Sequence, residues 1–133
     1  MHATVTWLHD QQYDAESKSG HHVTLDSDAQ AGASPMELVL IALCGCTSVD
    51  VVSILHKKRE PLTSLIVSAM AEQAPGPPRV FTHIQLTYHI GGGVSVKAAE
   101  DAVALSKNKY CSVSKMLEKT AAIDYVITYG EQS

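Results

Sequence analysis

One long apolar segment in the first half of the chain constrains the fold more than any other feature. It begins at residues 34–37, SPME, where a serine N-cap, a proline and a glutamate at the third helical position are typical of a helix start. No helix breaker follows until the cations at 57–59 and Pro61. The pattern predicts a helix of about 22 to 24 residues. Because apolar residues cover most of its faces, we expect it to be buried on nearly all sides.

The same segment is too polar for an unassisted membrane span, since cysteines, hydroxyl residues and Asp50 interrupt the stretch from Leu38 to Leu55. We therefore expect no membrane partner. The N-terminal residues lack a basic region followed by an apolar one, so we also expect no secretory signal and a cytoplasmic location. A chain of 133 residues has little material with which to surround so long a helix. A second subunit is thus a candidate for completing its burial.

Length and charge limit the domain number and the classes of binding partner. With 133 residues and 45% hydrophobic content, the chain is predicted to form a single domain over residues 1–133. Its net charge of −4 and scattered cations give no basic stripe of the kind that nucleic acids require. We therefore expect no nucleic-acid partner.

The flanking segments predict an α+β fold. The first thirty residues resemble a meander of short strands, with the clearest strand patterns at 3–8 and 23–25. Two longer strands, 62–70 and 81–90, surround the turn-rich segment 74–78 and predict a hairpin. After a triple glycine, the pattern predicts two helices and a last strand, at 96–107, 112–120 and 123–129.

The cysteine pattern argues against structural disulfide bonds and against metal binding. The chain has three cysteines, an odd number, and no predicted export signal, so a disulfide framework is not expected. Cys44 and Cys46 are not in a C-x-x-C loop, and no matching His or Cys pair follows at zinc-finger spacing. The glycines at 91–93 lack the GK[ST] continuation of a phosphate loop. We predict neither a metal nor a cofactor.

Two interpretations of Cys111 stay open from its local sequence. It lies in KYCSVSKML, immediately before a predicted helix, where free N–H groups and the helix dipole favour a thiolate, and Lys109 would add to this effect. Alternatively, it is an inert buried cysteine, because free cysteine is among the most buried residue types.

For Cys46, the local sequence favours a buried packing residue. It lies in the middle of the predicted helix, and Asp50, one turn further on, would oppose a thiolate. Cys44 lies about 200° away around the helix, so at most one of these two cysteines faces a given site. The distant Cys111 changes this interpretation, because an oxidised thiol needs a second thiol to resolve its sulfenic acid.

Several motifs together resemble the OsmC/Ohr family of thiol-dependent peroxidases. These are the SP-x-E-L helix start, Cys46 further along that helix, and the distant C-x-V-S motif from Cys111 followed by Leu117. The segments ASPMELVLIALCGCTSVDVVSIL and KYCSVSKMLEK are most similar to the YhfA-type branch of the family. The resemblance covers nearly the whole chain. It implies an OsmC-like α+β fold in which β-sheets wrap two long central helices of an intertwined homodimer.

The resemblance also implies a redox function in oxidative or osmotic stress defence. Cys46 would be the peroxidatic thiol that reduces an organic hydroperoxide substrate to an alcohol. Cys111 would resolve the oxidised Cys46 as a disulfide, and a dithiol reductant would then restore both thiols.

The chain departs from the family at the activating residues. Family peroxidases activate the cysteine with an arginine of the N-terminal β-region and a glutamate directly after the helix-start proline. Here no arginine precedes Arg59, and Met36 follows the proline, while Glu37 has the spacing of a capping residue. A catalytically altered small-molecule-binding or stress protein on the same scaffold is therefore the alternative. The vacant arginine position falls near Gln11 or Gln12, and candidate replacement cations are His21, His22, His83, Lys109 and Arg79.

Overall fold

A computed structural model describes residues 1–130 and divides the chain into two compact units, Met1–Ile41 and the residues from Ala42 onward. Helices and sheets are mixed, which confirms the α+β class. The elements in chain order are β1 (Ala3–His9), β2 (Gln12–Ser17), β3 (His22–Asp26), α1 (Pro35–Lys57), β4 (Ser64–Gln73), β5 (Phe81–Gly91), α2 (Val96–Leu105), a π-helical turn (Ser106–Tyr110, below the π-turn), α3 (Ser112–Leu117) and β6 (Ala122–Tyr129).

The first unit contains the predicted strand meander. Strands β1, β2 and β3 pair in that order, and both pairs are antiparallel. The sheet ends at Asp26, whose carboxylate accepts the N–H groups of Asp28 at 2.8 Å and Ala31 at 2.9 Å. These N–H groups hold the pKa of Asp26 below its ordinary value, because they stabilise the charged form. The Asp26 side chain thus stabilises the loop after β3 through hydrogen bonds to the loop backbone.

The start of α1 carries the predicted capping box. The Ser34 N–H donates to Glu37 Oε1 at 2.8 Å, and the Glu37 N–H donates to Ser34 Oγ at 3.3 Å. The helix then continues for 23 residues to Lys57, which confirms the predicted length.

The predicted burial of α1 on nearly all sides is wrong for the single chain. Only one stripe of the helix is buried, and Val49 on another face is 70% exposed. A chain of this size covers one face of a long helix, and the remaining apolar side chains stay uncovered. By length and composition α1 would also suit a membrane span, a criterion that core helices of soluble proteins meet as well. The buried stripe consists of Leu43, Thr47, Val51 and Leu55.

The second unit is built on a three-stranded sheet of order β4-β5-β6. Strands β4 and β5 form the predicted antiparallel hairpin, with Val67 opposite Tyr88. Strand β6 runs parallel to β5, so α2, the π-turn and α3 together form the crossover between them. Alternate residues of β5 point into the core, and the fully buried ones include Ile84, Leu86 and Tyr88.

Both crossover helices are shorter than the sequence predicts. Ser95 caps α2 as expected, accepting the Ala98 N–H at 3.2 Å, but α2 ends at Leu105 because the chain enters the π-turn. Helix α3 begins at Ser112 as predicted and ends at Leu117, before the predicted limit of 120.

Candidate functional site

The structure makes Cys46 and Cys111 neighbours. Cys46 is half-buried on α1, whereas Cys111 is fully buried at the N-cap of α3, and both are free thiols. The Cys46 side chain is close enough to affect the Cys111 thiol through hydrogen bonding and through charge. The two cysteines that the sequence singles out therefore lie near each other, although β4, β5, α2 and the π-turn separate them in the chain.

Burial dominates the chemistry of Cys111. The Ser114 N–H donates to Cys111 Sγ at 3.4 Å and favours a thiolate. Desolvation opposes the charged form more strongly, and Cys46 adds to this effect, so that the pKa of Cys111 lies above its ordinary value of 9.0. Of the two interpretations that the local sequence leaves open for Cys111, burial therefore favours the neutral buried thiol over the thiolate. The Lys109 ammonium, expected to help, lies over the Tyr110 ring at 5.2 Å from the ring centroid.

Cys44 has a different environment on α1. It is half-buried, and burial raises the pKa of its thiol. Its carbonyl oxygen accepts the Ser48 hydroxyl at 2.6 Å, a hydrogen bond within the same helix. We therefore expect the Cys44 thiol to be neutral at physiological pH.

A chain of buried hydroxyl groups crosses the interior beside the thiol pair. Thr47 Oγ1 lies 2.7 Å from Tyr88 Oη and 2.7 Å from Ser106 Oγ, which donates to Asp50 Oδ2 at 2.9 Å. A carboxylate only accepts and each hydroxyl has one proton, so the directions follow. Ser106 donates to Asp50, Thr47 donates to Ser106, and Tyr88 donates to Thr47. The chain of donors thus ends at a carboxylate.

The three hydroxyl groups of this hydrogen-bonded network are shielded from water. Thr47 is 1% exposed, and Ser106 and Tyr88 are fully buried. Burial raises the pKa of Tyr88 to about 12, so its hydroxyl is a neutral donor. The sequence analysis missed this network. One signal was present, because Thr47 is the single polar residue on the buried stripe of α1, and a buried hydroxyl requires a partner.

The π-turn connects this network to Cys111. The Cys111 N–H donates to the Ser106 carbonyl oxygen at 2.7 Å, which closes the π-turn. On the other side, the Ser114 hydroxyl lies 3.1 Å from the carbonyl oxygens of both Lys107 and Cys111. The backbone of Cys111 is therefore held from both sides.

Most of the residues considered for thiol activation have other side-chain partners. Glu37 closes the capping box of α1, so its structural role accounts for its position. Lys109 lies over an aromatic ring, whereas the hydrogen bond at Arg79, from the Gln73 side chain, involves its backbone carbonyl oxygen and not its guanidinium group. The other candidates make hydrogen bonds in their own sheets or turns: Gln11 with Ser27, His21 with Ser19, His22 with Asp14, and His83 with Asp124.

A cleft lies next to the end of the hydroxyl chain. Its volume is about 330 Å³, and Asp50 lies on its wall. Within residues 1–130, no group of three or more His, Cys, Asp or Glu side chains is arranged to hold a metal ion. Its lining consists of Asp50, Ser53, Ile54, Lys57, Lys58, Leu105 and Tyr110. The cleft therefore offers both charged and apolar contacts to a ligand.

Comparison with known proteins assigns the family. The model of the family described as OsmC-like protein matches residues 26–126. The chain belongs to the OsmC family. It is also 42% identical over 127 residues to Protein YhfA of Escherichia coli K12, covering 94% of this chain and 95% of that protein. This OsmC-family membership confirms the resemblance identified from the sequence and supports a stress-related role.

Solved structures share the OsmC fold. A hypothetical protein from Aquifex aeolicus has a TM-score of 0.85 and 28% identity, covering 98% of this chain and 97% of that chain. The OsmC-like protein from Mycoplasma pneumoniae has a TM-score of 0.83 and 18% identity over 96% and 95% of the two chains. The organic hydroperoxide resistance protein OhrB of Bacillus subtilis has a TM-score of 0.71 and 12% identity over 96% and 98%. At such identities the last two establish the fold alone.

Proposed function

We propose that this OsmC-family protein is a thiol-dependent organic hydroperoxide reductase of stress defence, with Cys46 as the peroxidatic thiol and Cys111 as the resolving thiol. The observation that carries the proposal is the neighbouring position of these two thiols on α1 and at the start of α3. Two thiols that can meet are what reduction of a peroxide through a disulfide requires.

The reaction proceeds in three steps. The Cys46 thiolate attacks the terminal oxygen of the hydroperoxide, an S–O bond forms, the O–O bond breaks, and the alkoxide leaves as an alcohol after taking a proton. The Cys111 sulfur then attacks the Cys46 sulfenic acid, so that an S–S bond forms and water leaves. A dithiol supplies two electrons by thiol–disulfide exchange and becomes a disulfide itself.

Burial supports this division of roles. Cys46 is half-buried and so retains access for an oxidant, whereas Cys111 is fully buried. The raised pKa of Cys111 keeps it a neutral thiol at physiological pH, where it reacts slowly with an external oxidant. The low reactivity of the Cys111 thiol is compensated when a sulfenic acid on Cys46 lies next to it, because proximity accelerates the reaction between the two groups.

A homodimer in the cytoplasm fits the same proposal. Along α1, Gly45, Val49 and Ser53 form an exposed stripe at helical spacing, and a Cβ added at Gly45 would have no other heavy atom within 4 Å. A second copy packed on this stripe would cover apolar surface of α1 that one chain leaves open. The cytoplasm is reducing, which suits free thiols and a dithiol partner.

The test combines turnover with mass spectrometry. The purified protein is mixed with cumene hydroperoxide and dihydrolipoamide, and loss of hydroperoxide is measured. We expect turnover in the parent protein and in Cys44→Ser, none in Cys46→Ser, and a sulfenic acid trapped on Cys46 in Cys111→Ser. Without the dithiol, brief exposure should produce a Cys46–Cys111 disulfide. Unmodified thiols and no loss of hydroperoxide would refute the proposal.

The second candidate is a small-molecule-binding protein without peroxidase activity. It is favoured by the engagement of Glu37 in the helix cap and by Met36 after the proline, which leave the family's activating positions unfilled. This candidate predicts that the thiols stay unmodified at millimolar hydroperoxide, while an apolar fluorescent probe binds and Asp50→Leu changes its affinity.

A further inference from the structure

We infer that Ser106 is a positioning residue for the thiol pair: its side chain is tied to α1, which carries Cys46, and its carbonyl oxygen fixes the backbone of Cys111. This inference rests on the proposed pairing of the two cysteines. It assigns a task to a residue that the reaction itself does not use.

The side chain of Ser106 is anchored on α1 at two points. Its hydroxyl donates to Asp50 at 2.9 Å and accepts from Thr47 at 2.7 Å. Both residues follow Cys46 on the same helix: Thr47 comes directly after it, and Asp50 lies about one turn further on. A hydrogen bond to a charged acceptor is about twice as strong as one between neutral groups. Ser106 therefore follows the part of α1 that carries Cys46.

The backbone of Ser106 is joined to Cys111 directly. The carbonyl oxygen of Ser106 accepts the Cys111 N–H at 2.7 Å, a short hydrogen bond across the π-turn. A π-turn is rare and less regular than an α-helical turn, so its geometry depends on contacts outside the helix. The anchored side chain of Ser106 supplies such contacts at the first residue of the turn.

The relative position of Cys46 and Cys111 matters because a disulfide forms only within a narrow range of geometries. It requires Cα atoms within roughly 7 Å and a defined torsion about the S–S bond. Without the Ser106 hydroxyl, the π-turn loses both links to α1, and Cys111 samples positions from which its sulfur does not reach Cys46. We expect the reduced protein to fold, but the disulfide to form less readily.

The experiment measures the equilibrium constant for oxidation of the protein by glutathione. In this reaction, two protein thiols and one oxidised glutathione give the protein disulfide and two reduced glutathione molecules. The constant is measured in a Cys44→Ser parent, so that Cys46 and Cys111 form the single pair. We expect Ser106→Ala to lower the equilibrium constant about tenfold or more, the equivalent of losing about 1.4 kcal/mol. Asp50→Asn keeps an oxygen acceptor for Ser106, so its constant should stay between those of the parent and Ser106→Ala.

The control separates positioning from general stability. Ile84→Val removes a buried methylene in β5 from a side chain that takes no part in these hydrogen bonds, and costs about 0.5–1.5 kcal/mol of stability. It should lower the melting temperature and leave the glutathione equilibrium within about twofold of the parent. Should Ser106→Ala fail to fold, Thr47→Val removes one of the two anchors, and its constant should fall below that of Ile84→Val.

Two results would overturn the inference. One is a Ser106→Ala protein, folded by circular dichroism, with the same constant as Ile84→Val. The other is a parent that forms no Cys46–Cys111 disulfide at any glutathione ratio. The measurement requires no hydroperoxide, so a parent that lacks peroxidase activity but loses its disulfide in Ser106→Ala would refute the proposed function and support the positioning role.

Discussion

The hydroxyl groups of Thr47 and Tyr88 lie 2.7 Å apart in the interior, on a helix and a strand that the chain brings together. Tyr88 donates to Thr47, so replacing Thr47 with valine leaves the tyrosine hydroxyl buried without its acceptor. We expect Thr47→Val to lower the free energy of unfolding by about 1–3 kcal/mol, measured by urea denaturation.

A double-mutant cycle isolates this pair. Tyr88→Phe removes the stranded hydroxyl, so Thr47→Val combined with Tyr88→Phe should cost less than the sum of the single changes. Thr47→Ser loses the methyl group but keeps the hydroxyl, so it is the control in which the hydrogen bond is retained. Strict additivity of the two single changes would show that the hydrogen bond contributes nothing.

The capping box at Ser34 predicts a stability effect without a catalytic one. Ser34→Ala removes the oxygen that accepts the Glu37 N–H and should cost about 0.5–2 kcal/mol, whereas Ser34→Asp keeps an acceptor and should cost less. Glu37→Gln preserves the reciprocal hydrogen bond to the Ser34 N–H. Its hydroperoxide turnover should therefore match the parent, and a loss beyond tenfold would make Glu37 part of the catalytic machinery.

Stability should fall in alkaline solution. Burial raises the pKa of Cys44 and Cys111 above 9.0 and that of Tyr88 from 10.0 to about 12. The unfolded chain therefore releases these protons at lower pH than the folded protein does. The free energy of unfolding should be level below about pH 9 with respect to these groups and decline as the pH rises towards about 12.

Tyr88→Phe provides the check on this pH dependence. The variant should be less stable than the parent at neutral pH, but its stability should decline less steeply between about pH 10 and 12. Urea denaturation at a series of pH values measures both slopes. Equal slopes in the two proteins would mean that Tyr88 titrates normally in the folded state.

The exposed stripe on α1 predicts the oligomeric state. We expect the protein to sediment as a dimer at micromolar concentration, and Val49→Glu to shift it to the monomer by placing a charge on the helix contact. Val96→Glu places the same charge on α2, where Val96 is 54% exposed, and should leave the dimer intact. A monomeric parent would exclude the proposed assembly.

The sequence predicted the fold best where one segment carried a complete local signal. The capping residues and the long apolar run specified α1, and the turn-rich segment at 74–78 specified the β4-β5 hairpin. Burial of α1 was predicted wrongly, because the number of faces that a helix buries depends on how much chain surrounds it. The pairing partner of β6 was also beyond local patterns, since a parallel pairing depends on the route of the whole crossover.

The candidate site was only partly predictable. The resemblance to a family assigned roles to Cys46 and Cys111, whereas the local sequence at Cys111 left both a thiolate and a buried neutral thiol open, and burial raises the pKa of this thiol. The degree of burial depends on the sheet and on α1, and neither is visible in KYCSVSKML. Likewise, Ser106 lies at the polar end of the helix predicted over 96–107, and neither its complete burial nor its hydrogen bonds to residues distant in the chain are visible in the local sequence.

The π-turn makes the thiol pair sensitive to chain length as well as to residue type. The hydrogen bond from Cys111 to Ser106 encloses one residue more than an α-helical turn would. Each helical residue rotates the chain by about 100°, so deleting one residue between them would turn every later side chain by that angle. All the side chains of the site would be intact in such a deletion, yet the Cys111 sulfur would point away from Cys46.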